Sequence, residues 1–433
     1  MLPPKHTRRI GKILKSTLAR RGRGSALPGL VVEKLDPDFL KRTLAGLPWG
    51  VVVVSGTNGK TTTTKMVVQL LRASGLKVFT NPTGSNFTRG IVASLLSAID
   101  DGGNLDDDIA ILELDEAHAV HFVREVAPRY SLVLNVLRDQ LDRFGEIDHT
   151  AKLLSQVIAA TTEGIVLNRE DPLVRTLIEH VPRDKKLQYF GLNPKLKDMF
   201  PSDQDMRSKI TADAPRLPHV HKNDVILESF KDQKAVFAWG EKKQPAVTLK
   251  IDGVYNVFNA AAALTMARMI LGDETNPKLL LSELSDVRPA FGRGEAIDID
   301  GDPLEIVLVK NPSGFRLALA SYAVRPASTM IAINDNYADG RDMSWLWDVE
   351  FESLRSGSAE AGVAMVSGIR AYDMALRLQY DDVTVSQVET DIPVALETFL
   401  RRTKGVRRIY CTYTAMLAIR RALARKYDLE AIE

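Results

Sequence analysis

The run Val51-Val-Val-Val-Ser-Gly56-Thr57-Asn58-Gly59-Lys60-Thr61-Thr62 sets glycines, one lysine and hydroxyl side chains directly behind four valines. The valines read as a buried strand, and the residues from Lys60 onward have helical period. The glycine-bearing stretch is then the corner between strand and helix. Such a corner turns backbone N–H groups inward, and the helix N-terminus adds its dipole, so both favour a polyphosphate. In this scheme Lys60 neutralises the terminal phosphates and the Thr61 hydroxyl is a ligand for Mg²⁺. The general phosphate-loop pattern asks for glycine five residues before Gly59, where this chain has Val54. An ordinary strand–helix turn is the competing reading, and the lysine behind a four-valine strand weighs against it.

A metal-binding carboxylate belongs at the end of a neighbouring strand, where open α/β sheets place their ligands. Ile109-Ala-Ile-Leu-Glu113-Leu-Asp115-Glu116 supplies it. Glu113 is the metal candidate, and Glu116 is expected to cap the next helix. Cys411 is the single cysteine, which excludes an internal disulfide framework and a multi-cysteine metal site. It ends a strand-like run without flanking glycines, so a buried thiol is the better reading than a nucleophile.

The elements that must hold these groups follow from periodicity. Short apolar runs at 51–54, 77–80, 109–114, 131–136 and 165–168 alternate with helical segments such as 60–73 and 149–160. That alternation predicts a doubly wound α/β sheet. From 193 to 250 the rhythm breaks, predicting an inserted loop and a small antiparallel sheet with strands at 225–230, 235–239 and 246–251. A helix over 256–271 follows. Alternation resumes after about 300, with strands expected at 305–309, 329–334, 362–367, 383–388 and 408–412. The expected division is a basic segment over 1–47, a central ATP-binding domain over 48–297 and a C-terminal α/β domain over 298–433.

Length and composition agree with several domains: 433 residues, 45% hydrophobic and 26% charged. A net charge of +2 gives no reason to expect nucleic acid. No apolar run suggests a bilayer span and no signal peptide is evident, so the cytoplasm is the expected compartment. Residues 1–24 hold eight lysines and arginines and no acid, with Ile10, Ile13, Leu14 and Leu18 at helical spacing. They read either as a solvated terminus or as a basic helix for an anionic membrane surface, such as the inner face of the plasma membrane, or for an anionic substrate.

Gly56-Thr-Asn-Gly-Lys-Thr-Thr62 resembles the phosphate loop of the Mur ligase and folylpolyglutamate synthase superfamily. Further segments keep that superfamily's order: Asn135-Val-Leu-Arg-Asp139-Gln140-Leu-Asp142, Leu167-Asn168-Arg-Glu-Asp171-Pro172, Gly253-Val-Tyr-Asn256-Val-Phe-Asn259, Phe291-Gly-Arg293-Gly-Glu295 and Lys310-Asn311-Pro312. Only about 48 residues precede the loop, whereas most Mur ligases begin with a nucleotide-sugar-binding domain; most also have histidine where Gln140 stands. With Arg21-Gly-Arg-Gly-Ser-Ala-Leu-Pro-Gly29 and Asn334-Asp-Asn-Tyr-Ala-Asp339-Gly-Arg-Asp342-Met-Ser-Trp345-Leu-Trp347-Asp348, these departures resemble the MurT subunits of lipid II isoglutaminyl synthases.

That resemblance implies ATP- and Mg²⁺-dependent amidation of the D-glutamate α-carboxylate of the lipid II stem peptide, giving D-isoglutamine by way of an acyl phosphate. It implies ATP contacts from Gly56, Thr57, Asn58, Gly59, Lys60, Thr61, Thr62, Asn168, Asp171, Asn256, Asn259, Arg293 and Lys310. It places Mg²⁺ on Thr61 and Glu113, and catalytic roles on Lys60, Glu113 and Arg293. Lys152 reads as a carbamylated metal-bridging lysine or, in preference, as a plain helix-surface lysine. Ammonia is implied to come from a GatD-type glutamine amidotransferase subunit. Asp348 would then complete the partner's glutaminase triad, with Trp345 and Trp347 either anchoring the interface or packing in the core. Many family members carry a four-cysteine zinc ribbon in the central domain; residues 193–235 have no cysteine, so no zinc is expected. A ligase adding an amino acid to a peptide or folate is the alternative enzyme, and an ATP-binding scaffold subunit the non-enzymatic one.

Overall fold

A computed structural model describes residues 11, 26–81, 87–137, 147–200, 216–231, 233–240, 242–250, 253–272, 275–288, 293–322, 325–357, 362–427 and 429, with the side chains of Ile147, Asp198, Arg293, Gly294, Glu295, Ser356 and Gly357 left out. The basic segment 1–24 lies outside these residues, apart from Gly11.

The first sheet contains β1 (Val51–Ser55), β2 (Val78–Thr80), β3 (Ile109–Glu113), β4 (Tyr130–Val133), β5 (Gly164–Asn168), β6 (Lys186–Leu192), β7 (Val225–Lys231), β8 (Lys234–Trp239), β9 (Lys242–Lys243) and β10 (Val247–Thr248). Its order is β10-β8-β7-β6-β5-β4-β1-β3-β2, with β9 paired to β8. All pairs from β2 to β7 are parallel. β7–β8, β8–β9 and β8–β10 are antiparallel. The antiparallel strands, expected as a small sheet of their own, therefore extend the parallel one. β6, which the apolar-run reading passed over, makes the join. Its first three residues set Leu187 between the polar Lys186 and Gln188 and are only partly covered, so it lacks the continuous apolar signature of β1 or β3.

The helix Val254–Leu271 packs on β5, β6 and β7 and on the helix Lys60–Ala73. It is long and apolar enough to cross a membrane, yet 78% of it is buried inside the protein. Its apolar character reflects burial on every side rather than lipid. On the other face of the sheet, the helices Ala26–Leu35 and Phe39–Leu44 contribute Val32, Phe39, Leu40 and Leu44 to one core with Ile91, Leu95 and Leu112.

The second sheet contains β11 (Arg293–Ile299), β12 (Asp302–Leu308), β13 (Ser328–Ala332), β14 (Met365–Ser367), β15 (Val388–Glu389) and β16 (Arg407–Cys411), in the order β11-β12-β16-β13-β14-β15. Only β11–β12 is antiparallel. The strand expected over 383–388 shrinks to β15 plus a single bridge from Val385 to Val363. The helix Pro312–Tyr322 leaves the end of β12 and leads back toward the first sheet, so a cleft forms where the carboxyl ends of β1 and β12 meet.

Candidate nucleotide site

The corner after β1 is built as its residues require. Gly59 precedes the helix Lys60–Ala73 with φ +88°, a left-handed conformation that side chains other than glycine's disfavour. A Cβ at Gly59 would also sit 2.5 Å from Asn259 Oδ1. Asn135, just beyond β4, holds the loop from beneath: its Oδ1 accepts from Asn58 N (2.8 Å) and its Nδ2 donates to Asn58 O (2.9 Å). The Thr57 hydroxyl accepts from Leu137 N at 3.0 Å. Lys60 is buried, donates to Gly56 O at 2.5 Å, and lies 3.6 Å from Glu116 Oε2. Its ammonium thus lies within the loop it serves.

Thr61 Oγ1 donates to Glu113 Oε1 at 2.9 Å. Glu113 is fixed by Asn81, whose Oδ1 accepts from Glu113 N (2.9 Å) and whose Nδ2 donates to Glu113 O (3.0 Å). A hydroxyl and a carboxylate side by side, both nearly buried, form a hard-oxygen donor set that suits Mg²⁺. Asp115, not Glu116, caps the helix Glu116–Glu125, accepting from Ala117 N at 3.3 Å. Glu116 instead turns its carboxylate to Lys60, because a charge buried there needs a partner.

Beside the loop lies a cavity of about 140 Å³ lined by Asn58, Gly59, Asn256, Asn259, Lys310 and Tyr322, among others. It takes one wall from each sheet's unit. Lys310 reaches across to Thr57 O at 3.0 Å. The structure thus brings together Asn58, Gly59, Asn256, Asn259 and Lys310. Gly56, Thr57, Lys60, Thr61 and Thr62 form the adjoining corner and first helical turn.

Asn168 and Asp171 stand elsewhere, beneath Asn135. Asn168 Nδ2 donates to Leu134 O at 2.7 Å. Asp171 accepts from Val136 N (2.8 Å), Leu173 N (2.9 Å) and Val174 N (3.1 Å), capping the helix Pro172–Thr176. Enclosure pushes its carboxyl up to about 6 despite these donors. Both residues fix the chain on either side of Asn135 and so act on the loop at one remove. Arg293 opens β11, but its side chain lies outside the described residues, as do Asp139, Gln140 and Asp142. Lys152 is exposed on the helix Ile147–Ala160, and His219 and His221 are exposed on the stretch before β7.

Sequence reasoning assigned no individual role to Asn135, Asn81 or Asn311. Asn135 and Asn311 carried a signal, since each sits in a motif quoted above. Asn81 follows a short strand and offered none.

In the second unit, Ser344–Asp348 is one tight 3₁₀ turn. Trp345 is buried against Phe315, while Trp347 is 50% exposed with its ring 5.1 Å from that of Tyr380. The buried Arg377 staples the turn, donating to Leu346 O (3.2 Å) and Val349 O (2.6 Å) with its guanidinium over the Trp347 ring. Asp348 is half-buried, and its carbonyl accepts from Arg316. Tyr372, Leu376 and Tyr380 are exposed along one side of the helix Ala371–Tyr380 beside Trp347. Cys411 is fully buried, and burial pushes its thiol far above the ordinary range, which removes it as a nucleophile.

Two family models match the chain: the Mur ligase middle domain over residues 54–267 and the MurT ligase C-terminal domain over residues 308–416. The lipid II isoglutaminyl synthase (glutamine-hydrolyzing) subunit MurT of Streptococcus pneumoniae is 30% identical, the alignment covering 96% of each chain. Its namesake in Staphylococcus aureus is 30% identical with the same coverage. Among solved structures, a type C pseudomurein peptide ligase from Methanothermus fervidus superposes with a TM-score of 0.67 at 19% identity, covering 90% of this chain and 81% of that one. MurF from Acinetobacter baumannii superposes with a TM-score of 0.68 at 16% identity, covering 92% and 80%. At these identities the superpositions show the fold alone.

Proposed function

The chain belongs to the MurT family of lipid II isoglutaminyl synthase subunits, ATP-dependent ligases, and on that premise we propose that it amidates the D-glutamate α-carboxylate of the lipid II stem peptide. The observation that carries the reading is the Thr61–Glu113 pair next to Lys60, at a glycine corner that adjoins a cavity edged by Asn256 and Asn259.

A carboxylate resists ammonia because its oxygen is a poor leaving group. The γ-phosphoryl group of ATP passes to a carboxylate oxygen, forming an acyl phosphate and releasing ADP. Ammonia nitrogen then bonds to the acyl carbon as the C–O bond to phosphate breaks, and a proton leaves the nitrogen. This chain's part is positioning and countercharge. Lys60 exchanges its carbonyl and carboxylate contacts for phosphate oxygens, Asn256 and Asn259 hold the base end, and Lys310 closes the cavity from the second unit. Arg293 takes the phosphate role that the family resemblance assigns it. Thr61 and Glu113 would hold Mg²⁺, which supplies countercharge to the phosphates when bound.

With Cys411 enclosed, glutamine hydrolysis falls to a partner, which fits relatives named as a glutamine-hydrolyzing enzyme's subunit. We assign that partner as a GatD-type glutamine amidotransferase. Asp348 and the exposed Trp347 present the meeting surface, whereas the buried Trp345 supports the turn from within. The assigned compartment is the cytoplasm, where the eight basic residues within 1–24 would be attracted to the anionic membrane that carries lipid II.

The test is mass analysis of lipid II after incubation with ATP, Mg²⁺, glutamine and the partner. A loss of about 1 Da at the glutamate carboxyl, abolished by Lys60→Ala, is expected. Amino-acid addition in its place would overturn the assignment.

A further inference from the structure

We infer that Asn311 is a positioning residue that registers the second unit on the phosphate loop through a paired-amide contact with Asn58; the inference rests on the nucleotide site read above. Asn311 is completely buried. Its Nδ2 donates to Asn58 Oδ1 at 3.1 Å, and its Oδ1 accepts from Asn58 Nδ2 at 3.3 Å. The same Oδ1 accepts from Gly314 N at 2.7 Å in the first turn of the helix Pro312–Tyr322. Asn58 is itself immobilised, because both its backbone N–H and its carbonyl are taken by the Asn135 amide.

Three asparagines therefore form one continuous connection from the end of β4, through the loop, to the helix that walls the cavity. A reciprocal amide pair uses a donor and an acceptor on each side, so it fixes orientation as well as distance. Leu317, Ser321 and Tyr322 on that helix and Lys310 beside it all line the cavity. Their placement over the nucleotide depends on the register that the pair sets. Asn58 lends its side chain to the second unit and its backbone to Asn135, which gives this loop position a task separate from cradling phosphate.

A double-mutant cycle tests this. Asn58→Ala removes one partner. Asn311→Asp removes the amide donor but keeps an acceptor for Gly314 N, so the helix start survives. Each single variant is expected to lose about tenfold in kcat/KM for ATP, with lipid II and ammonium chloride as co-substrates, and the double variant no more than the worse single. Losses that multiply, or no loss in either single, would overturn the inference. A second readout needs no turnover. Dyes on Gln156→Cys and Arg401→Cys, both exposed sites, report the distance between the units while the enclosed native Cys411 stays unlabelled. Each single variant should shift or broaden that distance and the double variant no further; an unchanged distance in both singles counts against the pair. Should the distance respond as expected while no variant or wild-type protein turns over ATP, the pair stands and the nucleotide reading falls.

Discussion

Replacing Gly59 by alanine puts two separable loads on the loop. The first is torsional: at φ +88° a Cβ costs about 1–2 kcal/mol. The second is steric. The new Cβ would lie 2.5 Å from Asn259 Oδ1, 2.9 Å from its Nδ2 and 3.0 Å from its Cγ, all atoms of one side chain. Displacing that packed amide costs about 1–3 kcal/mol. Together they amount to about 2–5 kcal/mol, which for a unit of this size lowers the melting temperature by about 4–20 °C. Because the three nearest neighbours of that Cβ all belong to Asn259, Gly59→Ala in an Asn259→Ala background should keep the torsional part and lose most of the steric part. The assay is calorimetric melting of the wild type, both single variants and the double variant, with KM for ATP measured beside it. Gly59→Ala should raise that KM more than tenfold, since it moves the amide proposed to hold the base. If the melting losses simply add, the contact between Gly59 and Asn259 is not as described. If KM for ATP does not move, Asn259 does not hold the base.

Asp348→Asn should lower glutamine-driven amidation by about a hundredfold or more while leaving ammonium-driven amidation within about twofold, as expected of a residue that orients a partner's histidine; equal losses would remove it from that role. Trp347→Ala should weaken partner binding by about 30-fold, measured by calorimetric titration, without lowering the melting temperature, whereas Trp345→Ala should destabilise the second unit by about 3–5 kcal/mol. Asp171 has a pH signature. Its folded value of about 6 stands above the ordinary 3.8, so the stability it contributes is complete below 3.8 and lost as pH rises through 6. Over that window the loss is up to about 3 kcal/mol. Comparing urea midpoints of wild type and Asp171→Asn between pH 4 and 7 should show the wild type's relative advantage shrinking as pH rises; a constant gap would contradict the enclosure of Asp171.

Much of the site was legible because it is local. A strand, a glycine corner and a helix start are dictated by neighbours in sequence, so Val51–Ser55 and the helix from Lys60 follow from their own residues. Glu113 at the end of an adjoining strand follows from the rule that parallel sheets bind ligands at carboxyl ends. The burial of Cys411 agrees with its place at the end of a strand-like run without flanking glycines.

Tertiary structure decided what depends on direction. Trp345 and Trp347 are alike in composition and neighbours in sequence, yet two residues apart on a tight turn they point to opposite sides, one into the core and one to solvent. Asp115 and Glu116 both suit a helix start; Asp115 took the cap, and the longer side chain of Glu116 reaches Lys60. Asn168 and Asp171 lie in a nucleotide-domain motif, but each bonds the chain around Asn135 with one polar atom and its own segment with the other. The Asn58–Asn311 pair joins residues 253 positions apart, a separation over which no periodicity carries information. Local chemistry names which groups can bind a phosphate; only the packing of two sheets settles which of them face the same cavity.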